Sequence, residues 1–101
     1  MKLTFFSDPG HSWLRVPLKT LIDLDLLDQI TPFSYINLGS KRAYCYLEED
    51  KDCPTFFNAL EENNITLTLS YRAYNNESVI RTYWPFDKTT VNWARQYLIH
   101  E

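Results

Sequence analysis

The chain has 101 residues, 45% of them hydrophobic and 16% aromatic, and carries 10 basic against 13 acidic side chains for a formal charge of −3. That length supports one core and not two, and that apolar content excludes a disordered chain. A net negative charge is the wrong sign for non-specific binding to duplex phosphate, although it leaves room for a local basic patch.

The segment Met1–Asp8 has one lysine and an apolar run broken by Asp8 and Pro9, too short for a signal peptide or a membrane span, so a cytoplasmic setting is expected. Lys2 to Phe6 reads as a first strand with Leu3 and Phe5 on one face, and Asp8-Pro9-Gly10 is a turn signal. Trp13 to Val16 resumes an extended pattern, and Pro17 suits the first position of a helix because the N–H it lacks has no partner there. Leu18, Leu21 and Ile22 follow helical spacing with Lys19 and Thr20 turned outward; this helix ends near Leu24, with Asp25 in the left-handed conformation that closes it.

Pro32 disfavours helical geometry at Thr31, and the segments Phe33–Leu38 and Arg42–Leu47 flank Gly39-Ser40 as a hairpin. In the second of these strands Ala43, Cys45 and Leu47 face inward, while Arg42, Tyr44 and Tyr46 share the outer face. Cys53, Phe56, Phe57 and Leu60 then recur at three- and four-residue intervals, a second helix with Asp52 as its N-cap, Pro54 in its first turn and an end near Glu62-Asn63-Asn64. Ile65 to Tyr74 alternates most clearly, which predicts a strand with one buried and one wet face. After a turn at Asn75-Asn76-Glu77-Ser78, Val79 to Trp84 is expected to return as a last strand and close an antiparallel hairpin, with Pro85 stopping it. Thr89 or Thr90 is the expected cap of a C-terminal helix packed through Trp93, Ala94, Tyr97 and Leu98. The order β-β-α-β-β-α-β-β-α predicts a single α+β domain, a mostly antiparallel sheet with two or three helices packed on one face.

Four stretches taken together, Asp8-Pro9-Gly10-His11-Ser12-Trp13-Leu14-Arg15-Val16, Ile30-Thr31-Pro32-Phe33-Ser34-Tyr35, Tyr46-Leu47-Glu48-Glu49-Asp50-Lys51-Asp52 and Ile80-Arg81-Thr82-Tyr83, resemble small proteins encoded by bacteriophages and other mobile elements. The likeness spans residues 4–84. Ser12 and Asp25 depart from it, standing where that family usually has glycine, which removes support for a bare-backbone phosphate cradle. The resemblance implies origin in a mobile element of a bacterial host more than it implies a reaction.

Glu48, Glu49, Asp50 and Asp52 put four carboxylates within five residues, where a strand hands over to a helix. Converging, they would coordinate a divalent cation, but the Asp-x-Asp-x-Asn-Gly rhythm of a calcium loop is missing. Displayed outward, they would imitate phosphates or meet a basic patch on a partner. The structural alternative is that Asp52 caps the helix, Glu49 and Asp50 favour the positive end of its dipole, and Glu48 is solvated. His11 beside Asp8 has the composition of a general-base pair, yet no serine near it lies in an elbow motif. More simply, His11 and Trp13 pin a turn.

Arg42, Tyr44 and Tyr46, with Arg72 on a neighbouring strand, are similar in pattern to the aromatic strand of an RNA-binding sheet, though the glycine of that pattern is absent and acidic residues follow. Cys45 and Cys53 read as free thiols, and His11 and His100 lack the paired spacing of a zinc site. No catalytic residue, metal or other cofactor is therefore expected. The leading expectation is a non-enzymatic, phage-like accessory protein that binds a host or phage protein through Glu48, Glu49 and Asp50, in the manner of an inhibitor of a host defence system such as a CRISPR nuclease complex. The second is a small nucleic-acid-binding regulator using the Arg42, Tyr44, Tyr46 and Arg72 face. Either would act as a monomer or, through Trp84 and Trp93, a homodimer.

Overall fold

The computed structural model describes residues 1–39, 42–74 and 78–99, with Leu98 and Ile99 by backbone alone. Its elements are β1 (Lys2–Ser7), β2 (Ser12–Pro17), α1 (Leu18–Asp23), a 3-10 turn (Leu27–Gln29), β3 (Tyr35–Leu38), β4 (Ala43–Glu48), α2 (Cys53–Glu62), β5 (Thr68–Ala73), a second 3-10 turn (Val79–Thr82), β6 (Trp84–Pro85) and α3 (Lys88–Ile99). They form one six-stranded sheet in the order β5-β1-β2-β4-β3-β6. Every neighbouring pair is antiparallel except β1 and β5, so the α+β, mostly antiparallel class is the one observed.

Strand alternation divides the sheet into two unlike faces. Leu3, Leu14, Val16, Ile36, Ala43, Cys45 and Leu47 share one buried cluster with Leu18 and Leu21 of α1, Phe56 and Leu60 of α2, and Val91 and Ala94 of α3, which places all three helices on that side. The opposite face carries a smaller aromatic cluster of Phe6, Trp13, Tyr46 and Ile80, edged by Tyr35, Tyr44 and Tyr83.

Both of the first two helices end in the same device. Asp25 and Asn64 have φ of 57° and 56°. Each donates back to the carbonyl three residues earlier, and the following residue, Leu26 or Ile65, donates to the carbonyl five residues earlier. These are Schellman closures in which Asp and Asn occupy the position glycine favours. At α3 the expected Thr89 or Thr90 cap is corrected. Asp87 caps the helix by accepting from Thr90 N at 2.9 Å, and Thr90 Oγ1 accepts in turn from Asp87 N at 3.0 Å. Thr90 is thus the third helical residue of a capping box, with Asp ahead of it.

Two strand expectations change. Ile65, Leu67 and Leu69 are partly buried against exposed Thr66, Thr68 and Ser70, as the alternation requires, but Tyr71 is 73% exposed. β5 lies at the sheet edge, paired only with β1, and beyond Leu69 the helices no longer cover it. Val79 to Trp84 is no strand partner of β5: residues Val79–Thr82 form a 3-10 turn, and the two-residue β6 pairs with β3. Pro85 belongs to β6 at the sheet edge, where a missing N–H costs nothing. Trp93, expected inside, is exposed and packs edge-to-face on Trp84 at 5.7 Å. The expected turns at Gly39-Ser40 and Asn75–Ser78, and the packing of Leu98, fall partly or wholly outside the described residues.

Candidate functional site

The corner between β4 and α2 divides its four carboxylates into two kinds. Asp52 is fully buried and makes no capping bond to α2. It accepts from Thr31 N at 3.0 Å, from Thr31 Oγ1 at 2.8 Å, and from Ser34 Oγ. Ser34 Oγ in turn accepts from Glu48 N at 2.9 Å. The expected cap therefore serves a longer-range purpose, tying the turn at residues 31–34 to the corner. The helix N-terminus tolerates this because Pro54 in its first turn presents no N–H to satisfy.

Glu48 is also turned inward, only 6% exposed, which corrects the expectation that it is solvated and takes it out of the outward-facing set. Its Oε2 accepts from Asp50 N at 2.9 Å and Lys51 N at 2.8 Å, and its Oε1 faces His11 Nδ1 at 3.5 Å. Glu49 N is held by Ser12 O at 3.1 Å. What remains on the surface is the pair Glu49 and Asp50, with Lys51 placed over the ring of Phe33 at 5.3 Å. Phe33 is 61% exposed. It was expected to begin a strand; instead the strand starts at Tyr35 and Phe33 sits at the tip of the pinned turn. Pro32 ahead of it was the one local sign that this aromatic belongs to a turn.

Asp8 does not orient His11 as a base. Its carboxylate accepts from Gly10 N and His11 N at 3.0 Å each, from Ser78 N at 3.0 Å, and from Arg81 Nε at 2.7 Å and Nη2 at 2.9 Å. The Arg81 guanidinium first, then the Ser78, Gly10 and His11 N–H groups, hold this carboxyl well below the usual carboxylate range against the opposing effect of burial. Arg81 also lies over Trp13 at 5.2 Å. The Asp8–Arg81 clasp spans 73 residues of sequence, and nothing local predicts it. The hydroxyl of Ser7 donates to Arg72 O at 3.5 Å and not to His11.

The aromatic sheet face does not bring the four expected residues together. Tyr46 is 7% exposed beneath Tyr83, at 5.1 Å between ring centres, and burial pushes its phenol up to about 12. Arg72 stands opposite Phe6 on the edge strand β5. Arg42 and Tyr44 do meet, guanidinium to hydroxyl at 3.3 Å. Arg15 joins them, its guanidinium 5.0 Å from both the Tyr44 and Phe6 rings. Alternation along β2 had already put Arg15 on this face, opposite Leu14 and Val16, and it is the residue the sequence reading missed there.

Both cysteines are free and buried, and burial raises each thiol, Cys53 to about 12. Among the described residues, no three His, Cys, Asp or Glu side chains converge on a metal position, and no helix is long and apolar enough to cross a membrane. A hollow of about 670 Å³ between the segment 27–32 and the start of α3 is lined by Leu27, Ile30, Pro32, Phe86 and Val91. Its rim carboxylates Asp28 and Asp87 are already engaged, by Arg95 and Thr90. No family model, curated protein or solved structure matches this chain.

Proposed function

We propose that this chain is a non-enzymatic binding protein whose contact surface is the corner formed by Phe33, Glu49 and Asp50. The observation that carries the reading is the division of labour among the corner carboxylates. Asp52 and Glu48 are buried and bond the turn at 31–34 and the loop at 50–51 into one fixed piece, and that piece presents an exposed phenylalanine beside two exposed carboxylates. An apolar anchor with flanking charge suits a partner surface that is itself apolar and basic. Holding it rigid lowers the entropic cost of association. With the mobile-element resemblance, the partner class is a nucleic-acid-handling complex of the host, whose basic groove Glu49 and Asp50 would occupy in competition with phosphate.

The test is co-purification from nuclease-treated host lysate with the wild-type chain, Phe33→Ala, and Glu49→Lys combined with Asp50→Lys. A partner retained by wild type and lost by both variants, with retention weakening as salt rises, supports the reading. A partner held equally by all three chains at every salt concentration refutes it.

A further inference from the structure

Among the described residues, the sheet face away from the helices is roofed along one half only. Ile80 sits among Phe6, Trp13 and Tyr46, and Tyr83 covers Tyr46. Beyond that roof, Lys2, Thr4, Arg15, Pro17 and Tyr44 surround a hollow of about 170 Å³. Thr4 Oγ1 and Ser70 Oγ are hydrogen bonded at 2.7 Å beside it, and Arg42 reaches the Tyr44 hydroxyl from the other side. The ladder registers Thr4 with Arg15 and Arg15 with Tyr46, while Pro17 pairs with Tyr44. Lys2 and Tyr44 therefore stand two inter-strand spacings apart, about 10 Å, with Pro17 between them and Arg15 two residues back along β2 in the row of Thr4 and Tyr46.

We infer that this strip, Lys2, Arg15 and Arg42 around Tyr44, binds single-stranded nucleic acid. None of the three cations forms an ion pair with a described carboxylate. In a chain of net charge −3, a cationic strip of this kind attracts a polyanion locally while the remaining surface repels an extended duplex. The Arg15 guanidinium lies 5.0 Å from the centres of both the Phe6 and Tyr44 rings, which keeps its charge on this face, and the half-exposed Tyr44 ring offers a stacking surface for a base. The Arg42 guanidinium, and then that of Arg15, lowers the Tyr44 hydroxyl below its ordinary value, which makes it a stronger donor to phosphate oxygen.

An acidic peptide fits less well. β1, β2 and β4 each have strand neighbours on both sides, so their main chain has no ladder to offer an extended peptide, and the strip is floored by hydroxyls.

The experiment titrates a fluorescein-labelled oligothymidylate of about 15 nucleotides with the full chain, reading anisotropy at low salt and then at rising KCl. Three phosphate contacts predict a log–log salt slope of about −2, and Lys2→Gln or Arg42→Gln each makes it shallower by about 0.7. Lys2 and Arg42 are exposed, and circular dichroism verifies that both variants fold as wild type. Arg95→Gln on the helix side and Phe33→Ala at the corner leave the binding unchanged, so failure here is separable from failure of the corner reading. No anisotropy change at low salt overturns the inference. So does wild-type affinity in the Lys2→Gln, Arg42→Gln double variant, or equal competition by poly-glutamate, which would assign the strip to acidic peptides.

Discussion

Replacing Asp8 with alanine removes at once the acceptor for Gly10 N, His11 N, Ser78 N and two nitrogens of Arg81. The carboxylate side chain is 0% exposed and the guanidinium 28%, so water does not replace what is lost. Deleting one partner of a buried ion pair costs about 3–5 kcal/mol, a large share of the roughly 5–15 kcal/mol that stabilises a domain. Asp8→Asn keeps one acceptor oxygen but loses the charge, and is expected to cost about 1.5–3 kcal/mol. Urea unfolding followed by tryptophan fluorescence measures both, with Trp13 beneath the guanidinium as a local reporter. A double-mutant cycle with Arg81→Ala should return a coupling of about 1–3 kcal/mol. The pH arm has a definite sign. Because the folded carboxyl is held below its unfolded value near 3.9, its contribution is complete above about pH 4, declines as pH falls further and disappears below the folded pKa. A loss under about 1 kcal/mol for Asp8→Ala, the range of an exposed pair, or zero coupling to Arg81 would refute the clasp.

Ser34→Ala leaves Glu48 N without its acceptor and Asp52 without one donor, and is expected to lower stability by about 1–3 kcal/mol in the same urea assay. A wild-type midpoint would show that the corner does not depend on this network. Asp87→Ala opens the α3 capping box at a cost of about 1 kcal/mol, read as a lower midpoint and lost helical circular dichroism. Burial raises the Cys45 and Cys53 thiols and the Tyr46 phenol. The stability these groups contribute is fully present below the unfolded thiol pKa near 8.5 and is lost as pH rises through and beyond it, reaching the phenol near 10. Native thiols should also resist alkylation at neutral pH until the chain unfolds; a midpoint flat across this alkaline range, or rapid native labelling, would contradict the burial.

Local pattern read most of the elements because burial of one face imposes a period. Leu18 and Leu21, or Phe56 and Leu60, recur at helical spacing because one side of each helix meets the sheet. Asp25 was legible as a helix stop because Asp tolerates positive φ. Pattern failed where a neighbour, and not the segment itself, decides exposure. Tyr71 continues the alternation of β5 yet stands in solvent because no helix reaches that edge, and Tyr46 alternates outward yet is buried because Tyr83 returns over it.

The candidate site shows the same division. From the sequence alone came the α+β class, the strand-to-helix corner and its clustered carboxylates. Only the tertiary structure decided that Asp52 and Glu48 turn inward, that Phe33 is displayed between their loops, and that Asp8 belongs to Arg81 and not to His11. Asp52 is held by Thr31 and Ser34, 21 and 18 residues away, and Asp8 by Arg81, 73 residues away. The Glu48 carboxylate closes on Asp50 N and Lys51 N within a corner that Ser34 Oγ fixes through Glu48 N, 14 residues away. A carboxylate's surroundings, set by which segments the sheet order brings beside it, determine whether it braces the fold or faces a partner, and periodicity along the chain carries no record of that.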